Sequence, residues 1–153
     1  MIWKTILVPH DFSSSANHAA AIARDEAKLH GAKLLLLHVV ELPQAVRPDS
    51  VIVPDENGAP IDVRTFATSA AERHLEDIVQ RLRKDGVTAT FDVKLGHPVD
   101  EINKFVDDQR VDLVVMGTHG RTGFAHLLVG SVTERVVRTC KVPVLTVRAP
   151  EHS

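Results

Sequence analysis

Five short apolar runs alternate along the chain with four stretches of helical periodicity. The runs are Ile2–Val8, broken at Lys4 and Thr5; Lys33–Val40, with Leu34 to Leu37 at its centre; Val87–Leu95; Val111–Met116; and Val142–Val147. The third alternates more than the others. The rest are nearly continuous, the pattern of strands buried on both faces of a parallel sheet. In the first helical stretch Ala16, Ala19, Ala20, Ala23 and Ala27 share one face, while Arg24, Asp25 and Lys28 point away. Ser13 or Ser14 is placed to cap its start and Gly31 to end it. In the second, Ala67, Ala71, Leu75, Ile78 and Leu82 recur every three or four residues, and Gly86 closes the pattern. The third opens at Pro98 and buries Val99, Ile102 and Val106. The fourth begins near Gly130 and Ser131 and buries Val132, Val136 and Cys140.

The order β-α-β-α-β-α-β-α-β predicts an α/β fold, an open doubly wound five-stranded parallel sheet with helices on both faces. Strand order is not readable from the pattern. In such sheets the ligand site lies beyond the carboxyl ends of the strands, where the winding reverses. Glu41–Asp62 is the longest irregular stretch, with Pro43, Pro48, Pro54, Pro60 and an Asn57-Gly58 turn. It reads as a variable surface excursion or as a lid. Residues 1–149 are expected to form a single domain, and Pro150–Ser153 a frayed tail.

Composition narrows the class. The chain has 153 residues, of which 44% are hydrophobic and only 4% aromatic, so the core must be aliphatic. The net charge of −2 is spread without a basic run, which argues against nucleic-acid and membrane-surface binding. Cys140 is the single cysteine and has no disulfide partner in the chain. No apolar stretch is long enough to span a bilayer, and the start does not read as a signal peptide. The expected location is the cytoplasm.

The segment Gly117-Thr118-His119-Gly120-Arg121-Thr122-Gly123, continuing to Gly130-Ser131-Val132, carries the chemistry. It leaves the fourth strand at Met116 and enters the fourth helix at Ser131. Glycines at 117, 120 and 130 would let backbone approach a ligand and take positive φ. Amides of such a turn and of the following helix start make an anion site. The loop lacks the Walker pattern and G-x-G-x-x-G, and no lysine stands ready for a terminal phosphate. Any grip must come from backbone, Ser131, Thr133 and Arg121. Turn glycines alone would also account for the count.

The spacing G-x2-G-x9-G-[ST], filled by Gly117, Gly120, Gly130 and Ser131, resembles the ATP-binding signature of the universal stress protein family. The resemblance extends to Ile6–Ser13, Leu36–Val40, Gly96-His97-Pro98 with Ile102, and Val142–Leu145. It implies a flavodoxin-like sheet of order 3-2-1-4-5, with Asp11 and the Gly117 loop facing one crevice. It further implies that Pro9 and Asp11 line an adenosine pocket and that the Val39 backbone meets adenine. Met116 and Gly117 would lie under the nucleoside, and Gly120, Gly130, Ser131 and Val132 would hold the phosphates. ATP, or AMP or another adenine nucleotide, is the implied ligand, with Mg²⁺ bridging phosphates rather than held by protein. A stress-response regulator is the implied role, as a homodimer through the last strand Val142–Val147.

Two positions depart from the family pattern. His10 stands where a small or hydroxyl residue is usual; it would crowd the pocket, donate to a phosphate or face solvent. His126 stands where a basic residue is common, alongside His119 in the same loop. Asp11 could equally shape a turn or cap the first helix, and Val39 could be core. The 9 histidines form no H-x-x-H or H-E-x-x-H pair, so a structural metal is not expected. His38 reads as a strand-end residue and Cys140 as an inert buried thiol. No catalytic residue is assigned. Two further readings stay open: a slow ATPase or phosphotransferase drawing on Asp11, His119 and Arg121, and a nucleotide-independent dimeric interaction module.

Overall fold

In the computed structural model, which describes residues 2–54, 56–118 and 130–148, the first apolar run becomes strand β1, Thr5–Pro9. Its alternation organises the molecule. Ile6 and Val8 face one core and Leu7 the other, and all three are fully buried. Helix α1 (Ser14–His30) follows and leads to β2 (Lys33–Val40). Next come a short ribbon of β3 (Val51–Ile52) and β4 (Ile61–Asp62), then helix α2 (Val63–Lys84) and β5 (Ala89–Leu95). The chain continues through α3 (Pro98–Asp108), β6 (Leu113–Gly117), α4 (Ser131–Thr139) and β7 (Val144–Val147).

The main sheet runs β5-β2-β1-β6-β7, with every pair parallel. Counted within that sheet this is the 3-2-1-4-5 order implied by the family resemblance. The alanine face of α1 packs with Leu75, Val79 and Leu82 of α2 against Ile6, Val8, Leu34, Leu36 and Val115. On the opposite face Val99, Ile102, Phe105 and Val106 of α3 and Val136 of α4 cover Leu7, Leu35, Leu37, Val114 and Met116. Two helices lie on each face, so the winding reverses between β1 and β6, the site-forming position in sheets of this kind.

The helix signals are realised closely. Ser13 caps α1, its Oγ accepting from the Ala16 amide at 3.1 Å, and Gly31 ends it at φ 67°. Pro98 opens α3 and Gly130 is the N-cap of α4. In α2 the inward residue is Val79, with Ile78 only partly buried, because the periodicity permits either neighbour and the sheet selects one.

Several expectations need correction. β1 begins at Thr5, not Ile2; the Lys4 and Thr5 amides donate to the Asp112 carboxylate instead, at 2.9 and 3.2 Å, and Ile2 is exposed. The last strand is not buried on both faces: Leu145 is exposed, because β7 is the edge of the sheet. Cys140 is not inside α4 but at its C-cap, half-buried beside the second core. Glu41–Asp62 is not structureless, since it holds the antiparallel β3–β4 ribbon. Asp62 caps α2 by accepting from the Thr65 amide at 2.7 Å, and Val63 and Arg64 donate back to Ser50 and Pro48.

Candidate functional site

Three chain segments meet beyond the carboxyl ends of β1 and β6. The first is the turn after β1. Pro9 pairs with Leu37 of β2, and the His10 amide continues the ladder by donating to the Leu37 carbonyl at 2.7 Å. Asp11 follows, half-buried, its Oδ1 accepting from the Ser13 amide at 3.0 Å. The turn-shaping reading of Asp11 therefore holds. Its second carboxylate oxygen has no hydrogen-bond partner among the described residues, so one oxygen builds the turn and the other is left for a donor.

The second segment is the end of β6. Met116 is buried in the core shared with α3 and α4, directly before Gly117. Gly117 does not have positive φ, and neither does Gly130, whose φ is −67°. The expectation of left-handed backbone at these two positions is thus corrected. What Gly117 supplies is proximity: a Cβ there would lie 2.8 Å from the carbonyl carbon and oxygen of Ser15. The first turn of α1 is pressed against the end of β6 with no room for a side chain.

The third segment is the start of α4. The Gly130 amide donates to the Thr118 carbonyl at 2.6 Å, and Thr118 in turn donates to Val147 at 3.0 Å. Thr133 is buried and its hydroxyl donates to the Gly117 carbonyl at 2.9 Å. Two of the expected phosphate donors, the Gly130 amide and the Thr133 hydroxyl, are therefore engaged within the protein. Ser131 is exposed and Val132 half-buried. The amides of Ser131, Val132 and Thr133 belong to the first helical turn, which has no intrahelical acceptors, and the first α4 bond is Glu134 to Gly130 at 3.0 Å. With the helix dipole they offer an anion a set of aligned donors. Val39 lies two positions beyond Leu37 on β2, half-buried at the same end of the sheet. His119, Gly120, Arg121 and His126 lie outside the described residues.

His10 takes none of the positions expected of it. Its side chain is buried, only 3% exposed, and both ring nitrogens are used inside the protein. Nδ1 accepts from the Phe12 amide at 3.0 Å and Nε2 donates to Asn17 Oδ1 at 3.0 Å. Burial holds its pKa below the ordinary histidine value. Sequence reading missed the partners of this ring. Phe12 has φ 67°, and its ring lies 5.4 Å from His10, 4.5 Å from His38 and 5.1 Å from His74. An asparagine one helical turn inside α1 and a strand-end His38 are ordinary on their own, and only the fold brings them to His10.

The fold defines a doubly wound α/β protein with a carboxylate turn after β1 and a helix start after β6 at the switch point. The chain belongs to the universal stress protein family, whose model matches residues 3–148. It is similar to universal stress protein MJ0577 of Methanocaldococcus jannaschii, at 31% identity over 97% of this chain and 96% of that one. A universal stress protein of Thermus aquaticus is 35% identical over 96% of this chain and all of its own length, the coverage there being 100%. The solved structure of MJ0577 superposes with a TM-score of 0.79 at 29% identity, covering 99% of both chains. A universal stress protein solved in complex with cAMP gives a TM-score of 0.67 at 25% identity, over 98% of this chain and 100% of the other. Among the described residues no helix is long and apolar enough to cross a membrane, and no group of three or more histidine, cysteine or acidic side chains is arranged to hold a metal ion.

Proposed function

We propose that this protein is a cytoplasmic, ATP-binding regulator of the stress response. The adenosine lies along Pro9, Asp11 and Val39, and the phosphates run toward the loop from Gly117 to Ser131. The observation that carries this reading is that Asp11, half-engaged in its turn, follows β1, while the first turn of α4, whose amides have no acceptor among the described residues, is tied through Thr133 to the end of the neighbouring strand β6. The donor set suits the ligand: amides and a Ser131 hydroxyl for phosphate oxygens, a carboxylate oxygen for ribose hydroxyls or a base donor. His10 does not obstruct it, being packed beneath the turn. The cAMP complex of a relative supports an adenine nucleotide. Mg²⁺, carried on the phosphates, would offset their charge. His119, Gly120 and Arg121 complete the loop in this reading.

The test begins with denaturing the purified protein and identifying any nucleotide released. ATP with Mg²⁺ is then titrated into the emptied wild type and a Gly130→Ile variant. Gly130 has extended dihedrals that isoleucine adopts without backbone strain, so the added bulk acts on the site. The expected result is binding by the wild type and its loss in the variant. No binding in either would move the function to a dimeric interaction module built on the β7 edge, whose exposed Leu145 is apolar. Slow hydrolysis would show as loss of γ-phosphate that Asp11→Ala abolishes.

A further inference from the structure

The turn that presents Asp11 is held by one histidine through all of its polar atoms. The His10 amide donates to Leu37 at 2.7 Å, and its carbonyl accepts from His38 Nδ1 at 2.7 Å. Its ring accepts the Phe12 amide proton and donates to Asn17. The Phe12 amide can only donate, so Nδ1 must carry a lone pair. The neutral ring therefore has its proton on Nε2, and Asn17 must present its oxygen. The imidazole thus ties the turn to α1, while the backbone of His10 ties it to β2, and the ring's bond to the Phe12 amide braces Phe12 at φ 67°, a conformation L side chains rarely adopt. Asp11 sits between the two residues joined by this bond.

We propose that His10 is the positioning residue of the nucleotide site: as a neutral imidazole it accepts the Phe12 amide and holds the Asp11 turn, and a proton on its ring releases that turn and weakens nucleotide binding. The proposal rests on the nucleotide-binding reading above. An added proton goes to Nδ1, which then faces the Phe12 N–H donor to donor. The ring must rotate or the turn must open. The groups facing the ring are Asn17 of α1, Asp11 of the turn, His38 of β2 and Arg81 of α2, with His74 of α2 against the Phe12 ring. Burial is the largest influence and keeps the ring neutral; Asn17 and Asp11 act the other way, and His38 and Arg81 reinforce burial. The position is one of the two at which this chain departs from the pattern that the family resemblance implies, a small or hydroxyl residue there, so the pH response is tied to this histidine and not to the fold.

Isothermal titration of MgATP into the wild type, His10→Asn and His10→Ala from about pH 7.5 to about pH 4.5 tests this across the imidazole range and below it, where a ring whose pKa is lowered by burial takes up its proton. Asparagine places an amide oxygen near the site of Nδ1 and does not titrate, whereas alanine leaves the Phe12 amide unpaired. Phosphate and carboxylate titration is common to all three proteins, so ratios of their dissociation constants isolate His10. The wild-type constant should rise relative to that of His10→Asn by roughly fivefold as pH falls, the factor of one neutral hydrogen bond. His10→Ala should bind more weakly than His10→Asn throughout, by a similar factor. Ratios that stay flat with pH, or equal affinities for the two variants, would overturn the positioning role while leaving the site intact. No MgATP binding by any of the three at any pH would remove the nucleotide reading and this proposal with it. A measurement on the wild type alone covers the case of poorly folding variants. The Phe12 amide resonance should follow the His10 ring titration, and an amide that ignores it would overturn the proposal.

Discussion

Gly117 stands out in the sequence as a position that needs glycine, but the physical reason does not. Pattern suggested backbone freedom, whereas the fold demands absence of a side chain, since Ser15 occupies the space a Cβ would need. That contact joins residues remote in sequence and no local motif announces it. Gly117→Ala should therefore destabilise by about 1–3 kcal/mol, the usual effect of overpacking, read as a lower urea midpoint at unchanged slope. His10 shows the opposite case. Its identity was noticed, yet its orientation depends on Asn17, Phe12 and His38 together. Because its pKa is lowered on folding, the unfolded chain takes up the proton first as pH drops below about 6.5, and stability falls over that window. Above it the contribution is complete. Urea midpoints at neutral and mildly acidic pH should fall more for the wild type than for His10→Asn; equal falls would contradict a neutral buried ring.

The elements themselves could be read from periodicity. α1 is the clearest example, with five of its six alanines buried, Ser13 at the N-cap and Gly31 at the left-handed end. Ser13→Ala should cost about 1 kcal/mol through loss of the bond to the Ala16 amide, measured by chemical denaturation. Ala23→Leu is expected to cost about 1–3 kcal/mol, because α1 lies against the sheet with no space for a branched chain. A neutral result there would mean that α1 is held more loosely than its buried alanines imply. Strand ends were less legible. Apolar residues continue past the strand pairing at Ile2 and Val111, and hydropathy does not record where a partner strand stops. The β3–β4 ribbon escaped for a related reason: strands of two residues are too short for alternation to register.

At the scale of the whole molecule, the fold class followed from the order of runs, but strand order required resemblance, since two-faced burial looks the same in a central strand and its neighbours. The edge position of β7 sharpens the dimer proposal. Leu145 is 40% and Val137 49% exposed on this side of the molecule, and an uncovered strand edge invites pairing with a second copy. Light scattering at micromolar concentration should report a dimer, and Leu145→Lys a shift toward monomer; a monomeric wild type would end that proposal. The central place of β1 has a consequence in time. Its register with β6 joins Ile6 to Leu113, while its register with β2 joins Ile6 to Leu34. During synthesis the β1–β2 pairing becomes available early, and the other side of β1 stays uncovered until most of the chain has left the ribosome. Nascent chains ending before β6 lack one wall of the crevice. Ligand would be captured only by a nearly finished molecule, and its grip would be added last to a sheet already half assembled.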